Sequence, residues 1–306
     1  LPERPARATA IVQLAAATAP LRGLLDPQGQ VAWVEGDPRK RRVDQLAVTP
    51  RDLAGIFRER LFQRQVPVIL TSATLATEGD FSWAQAAFGL DKPLRCLADS
   101  PFDYAQQARL YVAADLPDPS RDPEAFYLAA QERLAELAEA LGGRGLALFT
   151  ARRRTKAAQQ ALAARLRTPV FAQAGDAAAA LGQLQGAEAG LLLGSAYWTG
   201  VDVPGLNLVA LVKLPFPAPD PLVAAQEQAA KARGEDPFEA VLLPSMLLKL
   251  RQGAGRLIRR ETDRGIIAIL DPRAASRSYA ERITASLPEE LTTVASVAEA
   301  AAFVRG

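Results

Sequence analysis

Short apolar runs alternate with amphipathic stretches along most of the chain. Runs rich in apolar and β-branched residues, which is the pattern of buried strands, lie at residues 66–75, 146–151, 170–173, 190–193, 206–213 and 265–270. Apolar positions at helical spacing predict helices at residues 124–141, 152–167, 177–184, 224–233 and 238–250. This alternation predicts the α/β class, with a parallel sheet that carries helices on both faces.

The two ends of the chain show weaker patterns. Near the start we predict a helix at residues 9–25, strands at 31–35 and 43–48, and a helix at 81–88 that begins after Thr77 or Asp80. Thr49-Pro50 predicts a further helix that runs to about residue 65, with proline at its first position. A last helix is expected from about Ser296.

Length and composition allow two soluble domains. The 306 residues are enough for two cores, and 49% hydrophobic and 23% charged residues are ordinary for a globular protein. A formal net charge of +2 permits nucleic-acid binding without requiring it. Any such site must therefore come from a local cluster of basic residues.

Cysteine and histidine usage excludes several kinds of site. Cys96 is the only cysteine and there is no histidine, which excludes a disulfide framework, a cysteine–histidine zinc site and a histidine general base within this chain. Since no apolar run can span a bilayer, we predict no membrane partner. A single thiol suits a reducing cytoplasm, so we predict a cytoplasmic location. We also predict no metal ligand. Because the chain begins at Leu1 without a methionine or a signal-peptide pattern, we expect a piece of a longer protein.

The segment Gln252-Gly-Ala-Gly-Arg-Leu-Ile-Arg259 combines glycines with arginines. Arg256 and Arg259 are three positions apart, so we expect both on one face of a helix. Arginine binds phosphate oxygens bidentately and keeps its charge, which predicts a polyphosphate site. The alternative is an ordinary solvated basic face, but glycines beside the arginines favour the phosphate site because they let a ligand approach.

Two further segments place small polar residues after predicted strands. Gly194 to Gly205 contains Asp202 between glycines and a proline, which predicts a tight loop at the ligand-binding edge of the sheet; Asp202 could equally be a turn former. The run 66–75 carries Thr71, Ser72 and Thr74 at its carboxyl end. These hydroxyls could face a ligand or cap the next helix.

Taken in order, these segments resemble motifs of superfamily two DNA helicases of the DinG and XPD type. Thr71-Ser-Ala-Thr-Leu75, Trp198-Thr-Gly-Val-Asp-Val-Pro-Gly205 and Gln252–Arg259 carry the resemblance, and Ser100–Tyr104 and Lys213-Leu-Pro-Phe216 are similar to other family segments. The likeness covers about residues 33–287. In one departure, Thr199 stands where the family usually has a glutamate.

The resemblance implies a fold and an activity. It implies a RecA-like parallel sheet for residues 106–306, the second helicase motor domain, and a C-terminal remnant of the first motor domain for residues 1–105. The full-length relative would be an ATP-dependent DNA helicase that translocates on single-stranded or forked DNA and unwinds duplexes in repair or replication. Its partners would be that DNA and the upstream first motor domain.

The resemblance also implies roles for individual residues. Arg256 and Arg259 would be arginine fingers that stabilise charge on the transferred phosphoryl group, with Gln252 as a catalytic sensor. The nucleotide would also meet Gly200, Asp202 and Gly255. Thr150 and Ser195 would face the nucleic-acid backbone. Thr71, Ser72 and Thr74 would couple the two domains.

Several family elements are missing from the chain. It contains no Gly-x-x-x-x-Gly-Lys-Ser/Thr phosphate loop and no acidic box for Mg²⁺, so most ligands of ATP and Mg²⁺ are expected upstream. An iron–sulfur cluster is likewise possible only there, because a cluster needs several thiolates. We therefore expect the chain alone to be inactive. Two alternatives are a non-catalytic half-motor that binds single strands with a partner subunit, and an unrelated α/β enzyme that uses Asp202 and Arg256 on a phosphorylated metabolite.

Overall fold

A computed structural model describes most of the chain: residues 29–37, 42–64, 66–72, 75–76, 79–173, 177–200, 202–288 and 290–306. The predicted helix at residues 9–25 lies outside the described residues. The chain divides into two compact units, one made of Leu1–Leu97 with Pro217–Leu243 and the other of Ala98–Phe216 with Pro244–Gly306.

Strands and helices alternate along most of the described chain. In chain order the described elements are β1 (Gln30–Asp37), β2 (Arg42–Pro50), α1 (Leu53–Phe57), α2 (Ser82–Phe88), α3 (Tyr104–Gln107), β3 (Ala108–Val112), α4 (Pro123–Leu141), β4 (Arg144–Leu148), α5 (Arg152–Ala163), β5 (Val170–Ala172), α6 (Ala177–Gly186), β6 (Gly190–Gly194), β7 (Leu206–Leu211), α7 (Pro221–Ala232), α8 (Leu243–Ala254), β8 (Gly265–Ile269), α9 (Arg273–Ser276), α10 (Ala280–Ser286), β9 (Thr292–Val294) and α11 (Val297–Arg305). Two π-helical turns adjoin these helices: Arg58–Phe62 continues α1, and Phe238–Leu242 precedes α8.

In the smaller unit, β1 and β2 pair in antiparallel orientation, which confirms both predicted strands. The helix after it starts later than predicted, because Pro50 is the last residue of β2. Asp52 instead begins α1, since its carboxylate accepts a hydrogen bond from the N–H of Gly55 at 2.7 Å. The predicted helix at residues 81–88 is confirmed as α2, and Asp80 accepts a hydrogen bond from the N–H of Ser82 at 2.9 Å.

The predicted buried strand at residues 66–75 is wrong. Its described residues form no strand, and Val66 and Ile69 are 58% and 86% exposed. A strand needs a neighbouring strand to satisfy its backbone hydrogen bonds, and none pairs with this segment among the described residues. Thr71 and Ser72 are exposed, and Thr74 lies outside the described residues.

The larger unit is built on a parallel sheet, as predicted. Its described strands are ordered β5-β6-β4-β7-β8-β3-β9, and every neighbouring pair is parallel. The interior strands β6 and β8 are buried throughout, which explains their continuous apolar sequence. Right-handed crossovers through helices are the expected way to connect such strands.

Helices cover both faces of this sheet. One face packs on α4, α5 and α11 through a single apolar cluster that includes Phe126, Phe149, Ala210, Ala268 and Ala301. Successive side chains of a strand point to opposite faces of the sheet. Leu148 and Leu211 therefore lie on the other face, against the end of α8. The helix α4 matches its prediction closely: Pro123 is its first residue, Asp122 accepts a hydrogen bond from the N–H of Ala125 at 3.0 Å, and Gly142 follows its end.

Candidate nucleotide and nucleic-acid site

The two predicted arginine fingers do not lie on a helix. Helix α8 ends at Ala254, so Arg256 and Arg259 lie in the segment that follows, and their predicted position on one helical face is wrong. Two glycines, Gly253 and Gly255, disfavour the helix at this point. We call residues 255–264 the arginine loop. Its centre is anchored by two apolar side chains, since Leu257 is fully buried and Ile258 is 2% exposed.

A buried carboxylate holds the arginine loop in place. Asp263 is 5% exposed, and its Oδ2 accepts hydrogen bonds from the N–H of Arg259 at 2.8 Å and of Arg260 at 2.9 Å. Its Oδ1 accepts a third from the N–H of Gly205 at 3.2 Å. Asp263 therefore joins the arginine loop to the start of β7. In the sequence, the short spacing between Asp263 and Gly265 indicates a turn, and nothing there indicates that Asp263 anchors the loop.

Gln107 supports the same loop from its other side. Its side-chain Nε2 donates to the carbonyls of Arg260 at 2.9 Å, Glu261 at 3.0 Å and Asp263 at 3.0 Å. Gln107 is 8% exposed and ends α3, directly before β3. The sequence contained no signal for this role, because nothing near Gln107 indicates its partners.

Arg256 is bonded to the loop that follows β6. We call residues 195–205 the glycine loop; within it residue 201 lies outside the described residues. The Nη2 of Arg256 donates to the main-chain carbonyl of Trp198 at 3.1 Å. Burial lowers the pKa of the Arg256 guanidinium, the charge of Arg259 adds to this effect, and Asp202 opposes it. Two predicted nucleotide-binding segments are therefore in direct contact.

Trp198 ties the glycine loop to the sheet. It is 3% exposed, and its Nε1 donates to the carbonyl of Phe149 at 2.8 Å, just beyond β4. The Nζ of Lys249 lies 5.4 Å from the centre of the indole ring, and burial lowers the pKa of Lys249. Gly253 fits against the same ring, because a Cβ there would lie 2.9 Å from Trp198 Cζ3.

Asp202 and Arg259 form a loose pair at the surface. Arg259 Nε lies 3.7 Å from Asp202 Oδ1, and the Asp202 side chain is 80% exposed. An exposed pair of this kind contributes about 0–1 kcal/mol, so a bound phosphate could replace the carboxylate. The main chain of Asp202 is held separately, since its carbonyl accepts from Gln185 Nε2 at 3.1 Å. Gly200 has a φ of 70°, which favours glycine.

The remaining predicted residues occupy three places. Gln252 is partly buried near the end of α8, and Gly255 begins the arginine loop. Thr150 and Ser195 follow the neighbouring parallel strands β4 and β6 at the same edge of the sheet, and Thr150 is exposed. Thr71 and Ser72 belong to the smaller unit.

Tyr104 lies close to the arginine loop and was not predicted as a site residue. Burial raises the pKa of the Tyr104 hydroxyl, while a side-chain hydrogen bond with Ser100 and the charges of Arg251 and Arg259 act in the opposite direction. The segment Ser100–Tyr104 resembles a family segment, which is the signal that could have marked it.

Neither a metal cluster nor a membrane span occurs in the described part of the chain. None of its groups of three or more cysteine, aspartate or glutamate side chains could hold a metal ion. Among the described helices, none is both long and apolar enough to cross a bilayer.

The part of the chain that contains both loops matches a known protein family. The sequence pattern of the family described as Helicase C-terminal domain matches residues 134–290, slightly more than half of the chain. The chain belongs to this helicase C-terminal domain family. The match includes the glycine loop and the arginine loop. It also includes the parallel strands β4 to β8 between and beside them.

Curated relatives of this helicase C-terminal domain include two named helicases. The chain is 42% identical over 273 residues to the ATP-dependent helicase DinG of Mycobacterium tuberculosis (strain ATCC 25618 / H37Rv), covering 85% of this chain and 40% of the relative. It is 38% identical over 248 residues to the ATP-dependent DNA helicase YoaA of Escherichia coli (strain K12), covering 79% of this chain and 39% of the relative. The predicted DinG-like resemblance is confirmed, and the chain spans about 40% of the length of these relatives.

Solved structures confirm the RecA-like fold. An XPD helicase structure matches with a TM-score of 0.61 at 15% sequence identity, over 90% of this chain and 49% of that chain. Dbp5 of S. cerevisiae, solved bound to RNA and ADP BeF3, matches with a TM-score of 0.51 at 14% identity, over 83% of this chain and 60% of that one. At these identities the likeness shows the fold alone.

Proposed function

We propose that the chain is the C-terminal part of a DinG-like, ATP-dependent DNA helicase. In this proposal residues 106–306 are the second RecA-like motor domain, and residues 1–105 are the C-terminal part of the first. The supporting observation is that Asp263 and Trp198 hold the arginine loop against the glycine loop. Two segments that resemble nucleotide-binding motifs thereby form one continuous surface.

This surface suits the polyphosphate of a nucleotide. The guanidinium of Arg256 is half-buried and oriented by a backbone carbonyl, which fixes its direction before a ligand arrives. Arg259 has a weak partner in Asp202, so it can exchange that carboxylate for a phosphate. Both would stabilise the charge on the transferred phosphoryl group, while Gln252 and the main chain at Gly200, Asp202 and Gly255 would contact the nucleotide.

The chain supplies arginines and backbone donors for ATP but few groups for Mg²⁺. It has no phosphate loop and no acidic metal box, and we propose that the upstream first motor domain holds most of the ATP and Mg²⁺ ligands. When bound, Mg²⁺ would neutralise phosphate charge. A single cysteine cannot hold an iron–sulfur cluster, so any cluster would belong to the upstream part as well.

The nucleic-acid strand would cross the carboxyl edge of the sheet. Hydroxyls bind phosphate without reading sequence, and Thr150 and Ser195 follow neighbouring strands at this edge. Thr71, Ser72 and Thr74 would couple ATP hydrolysis to movement along single-stranded or forked DNA. We propose that the full-length protein unwinds duplexes in the cytoplasm during repair or replication.

ATP hydrolysis with and without single-stranded DNA tests this function. We expect no turnover by the 306-residue chain, and DNA-stimulated turnover by a longer protein that joins this chain to its upstream motor domain. Turnover by the short chain, free of contaminating ATPase, would show a phosphate site within it and contradict the proposal. A longer protein that binds single strands but never hydrolyses ATP would instead identify the non-catalytic half-motor.

A further inference from the structure

Three neighbouring strands, β4, β7 and β8, are followed by polar side chains at the carboxyl edge of the sheet. The register pairs Leu148 of β4 with Leu211 of β7, and Leu211 with Ile269 of β8. Continued by two residues, this register brings Thr150 level with Lys213, and Lys213 level with Asp271. Neighbouring strands lie about 4.8 Å apart, so Lys213 is the next polar side chain after Thr150 along this edge.

The backbone around Lys213 is fixed by a buried carboxylate. Asp271 is fully buried, and its Oδ2 accepts a hydrogen bond from the N–H of Leu214 at 3.0 Å. Lys213 itself is partly buried. Burial lowers the pKa of its ammonium group, Arg273 adds to this effect, and Asp271 opposes it. A bound anion would likewise oppose the lowering of the pKa of Lys213.

Lys213 differs from the arginines around it in its ion pairing. Arg273 donates to Asp271 at 2.7 Å, Arg154 to Glu124 at 2.8 Å, and Arg277 to Asp118 at 2.6 Å. In the part of the chain that the structure describes, no carboxylate forms an ion pair with Lys213. Among these four cations, Lys213 is therefore the one whose charge a ligand can use without displacing an ion-pair partner.

Two partly exposed aromatic rings lie beside Arg273. Phe216 and Tyr279 are in edge-to-face contact with ring centroids 5.9 Å apart, and the guanidinium of Arg273 lies 5.7 Å from the Phe216 ring centre. Sites for single-stranded nucleic acid combine cations that follow the backbone with aromatic rings on which bases stack. The carboxyl ends of β7 and β8 therefore offer both parts of such a site.

We propose that Lys213 binds a backbone phosphate of single-stranded DNA beyond Thr150, and that Phe216 and Tyr279 stack against the adjoining base. This inference rests on the single-strand binding proposed above and extends its path by one strand of the sheet. A nucleotide phosphate has the same chemistry, and the guanidinium of Arg256 is bonded to Trp198, whose indole is bonded to the carbonyl of Phe149 at the carboxyl end of β4. The measurements below therefore separate a DNA phosphate from a nucleotide phosphate.

The salt dependence of binding to a fluorescent oligothymidine measures this contact directly. Each phosphate contact to a single strand contributes about −0.7 to the slope of log K against log salt concentration. We expect Lys213→Ala in the 306-residue chain to weaken binding about tenfold and to reduce the slope by about 0.7. Lys213→Arg should retain the slope, and Phe216→Leu should weaken binding with the slope unchanged, because stacking releases no counterion.

Arg305→Ala is the matched control. It removes one positive charge from the larger unit at the amino edge of the sheet, where Arg305 donates to the carbonyl of Ala140 at 2.9 Å near the end of α4. We expect wild-type affinity and slope for this variant. The thermal unfolding of each variant shows whether the fold is intact, and Lys213→Gln keeps the test valid if the alanine variant is unstable.

Each contrary outcome has a distinct meaning. Wild-type affinity and slope in a folded Lys213→Ala variant would overturn the inference while leaving the proposed function intact. A loss of ATP affinity in the longer protein, with DNA binding unchanged, would assign the phosphate to the nucleotide. If the unaltered chain does not bind the oligothymidine at all, the inference fails together with the proposed strand path, and the ATPase measurement alone then decides the helicase assignment.

Discussion

The guanidinium of Arg256 donates a hydrogen bond to the main-chain carbonyl of Trp198 at 3.1 Å. Trp198 is in turn bonded to the carbonyl of Phe149 at the end of β4. The position of the predicted arginine finger is therefore set by the sheet and not by a helix. A guanidinium held in this way loses little conformational freedom when it meets a phosphate, which is the condition for strong electrostatic stabilisation.

The first prediction concerns the chemistry of Arg256. In the longer protein, Arg256→Ala should reduce the rate constant of DNA-stimulated ATP hydrolysis about a thousandfold or more, the range measured for arginine fingers. Arg256→Lys should also be severely impaired, because an ammonium cannot bind a phosphate and a carbonyl with a planar fork. Stopped-flow phosphate release measures both.

A nearby arginine supplies the control for this measurement. Arg264 is exposed and stacks over the ring of Phe303, 4.2 Å from its centre. Arg264→Ala should hydrolyse ATP at nearly the wild-type rate. Equal losses in the Arg256 and Arg264 variants would mean that the arginine loop responds to any loss of charge, and that Arg256 has no special catalytic role.

The second prediction concerns the buried carboxylate of Asp263. Asp263→Ala removes the acceptor for the N–H groups of Arg259, Arg260 and Gly205. Because each of these partly buried hydrogen bonds to a charged carboxylate contributes about 1.5–3 kcal/mol, the free energy of unfolding should fall by about 3 kcal/mol or more. Urea denaturation followed by tryptophan fluorescence measures this change.

Two variants separate this effect from a simple loss of charge. Asp263→Asn keeps one acceptor oxygen and should destabilise less than alanine does. Asp202→Ala removes an exposed carboxylate with a partner at 3.7 Å and should change the free energy of unfolding by less than about 0.5 kcal/mol. If the Asp263→Ala and Asp202→Ala variants are equally stable, the hydrogen bonds of Asp263 do not hold the arginine loop in place.

The sheet was predictable from sequence, whereas the hydrogen bonds that Gln107 and Asp263 make to the arginine loop were not. Strand β8 lies within the predicted run 265–270 because its burial shows directly as a continuous apolar sequence. The contact between Gln107 and Asp263 joins residues 156 positions apart, and neither residue type indicates a distant partner. The end of α8 was missed for a related reason, since the spacing of Arg256 and Arg259 matched a helical face although the glycines before them end the helix.

The third prediction concerns close packing at Gly253. A Cβ there would lie 2.8 Å from Leu211 Cδ2 and 3.0 Å from Leu148 Cδ1, so Gly253→Ala forces side chains of the sheet to shift. Overpacking of this kind costs about 1–3 kcal/mol, and thermal unfolding should show a lower Tm. The shift would also move Trp198, so Arg256 should lose part of its orientation, and ATP turnover of the longer protein should fall.

Gly182 offers the matched helical control. It lies within α6, and a Cβ there would meet nothing within 4 Å. Gly182→Ala should therefore raise the stability by up to about 1 kcal/mol, because alanine favours the helix. A Gly253→Ala variant that is stabilised to the same extent would show that the end of α8 has room for a side chain.

The fourth prediction concerns the apolar segment at residues 66–72 in the smaller unit. Val66 and Ile69 are largely exposed, and no described strand pairs with this segment. Its amides should therefore exchange with solvent far faster than those of Ile266–Ile269, which are fully buried in the centre of the larger sheet. Hydrogen exchange followed by mass spectrometry compares the two segments in one experiment.

The same measurement on the longer protein tests why the strand prediction failed. If residues 66–75 are a strand of the first motor domain, an upstream strand should pair with this segment, and the segment should become protected there. Slow exchange already in the 306-residue chain would show that the segment is paired without them. Fast exchange in both proteins would show instead that the apolar sequence of this segment does not form a strand, and Thr71 and Ser72 would then have no fixed position from which to couple the two domains.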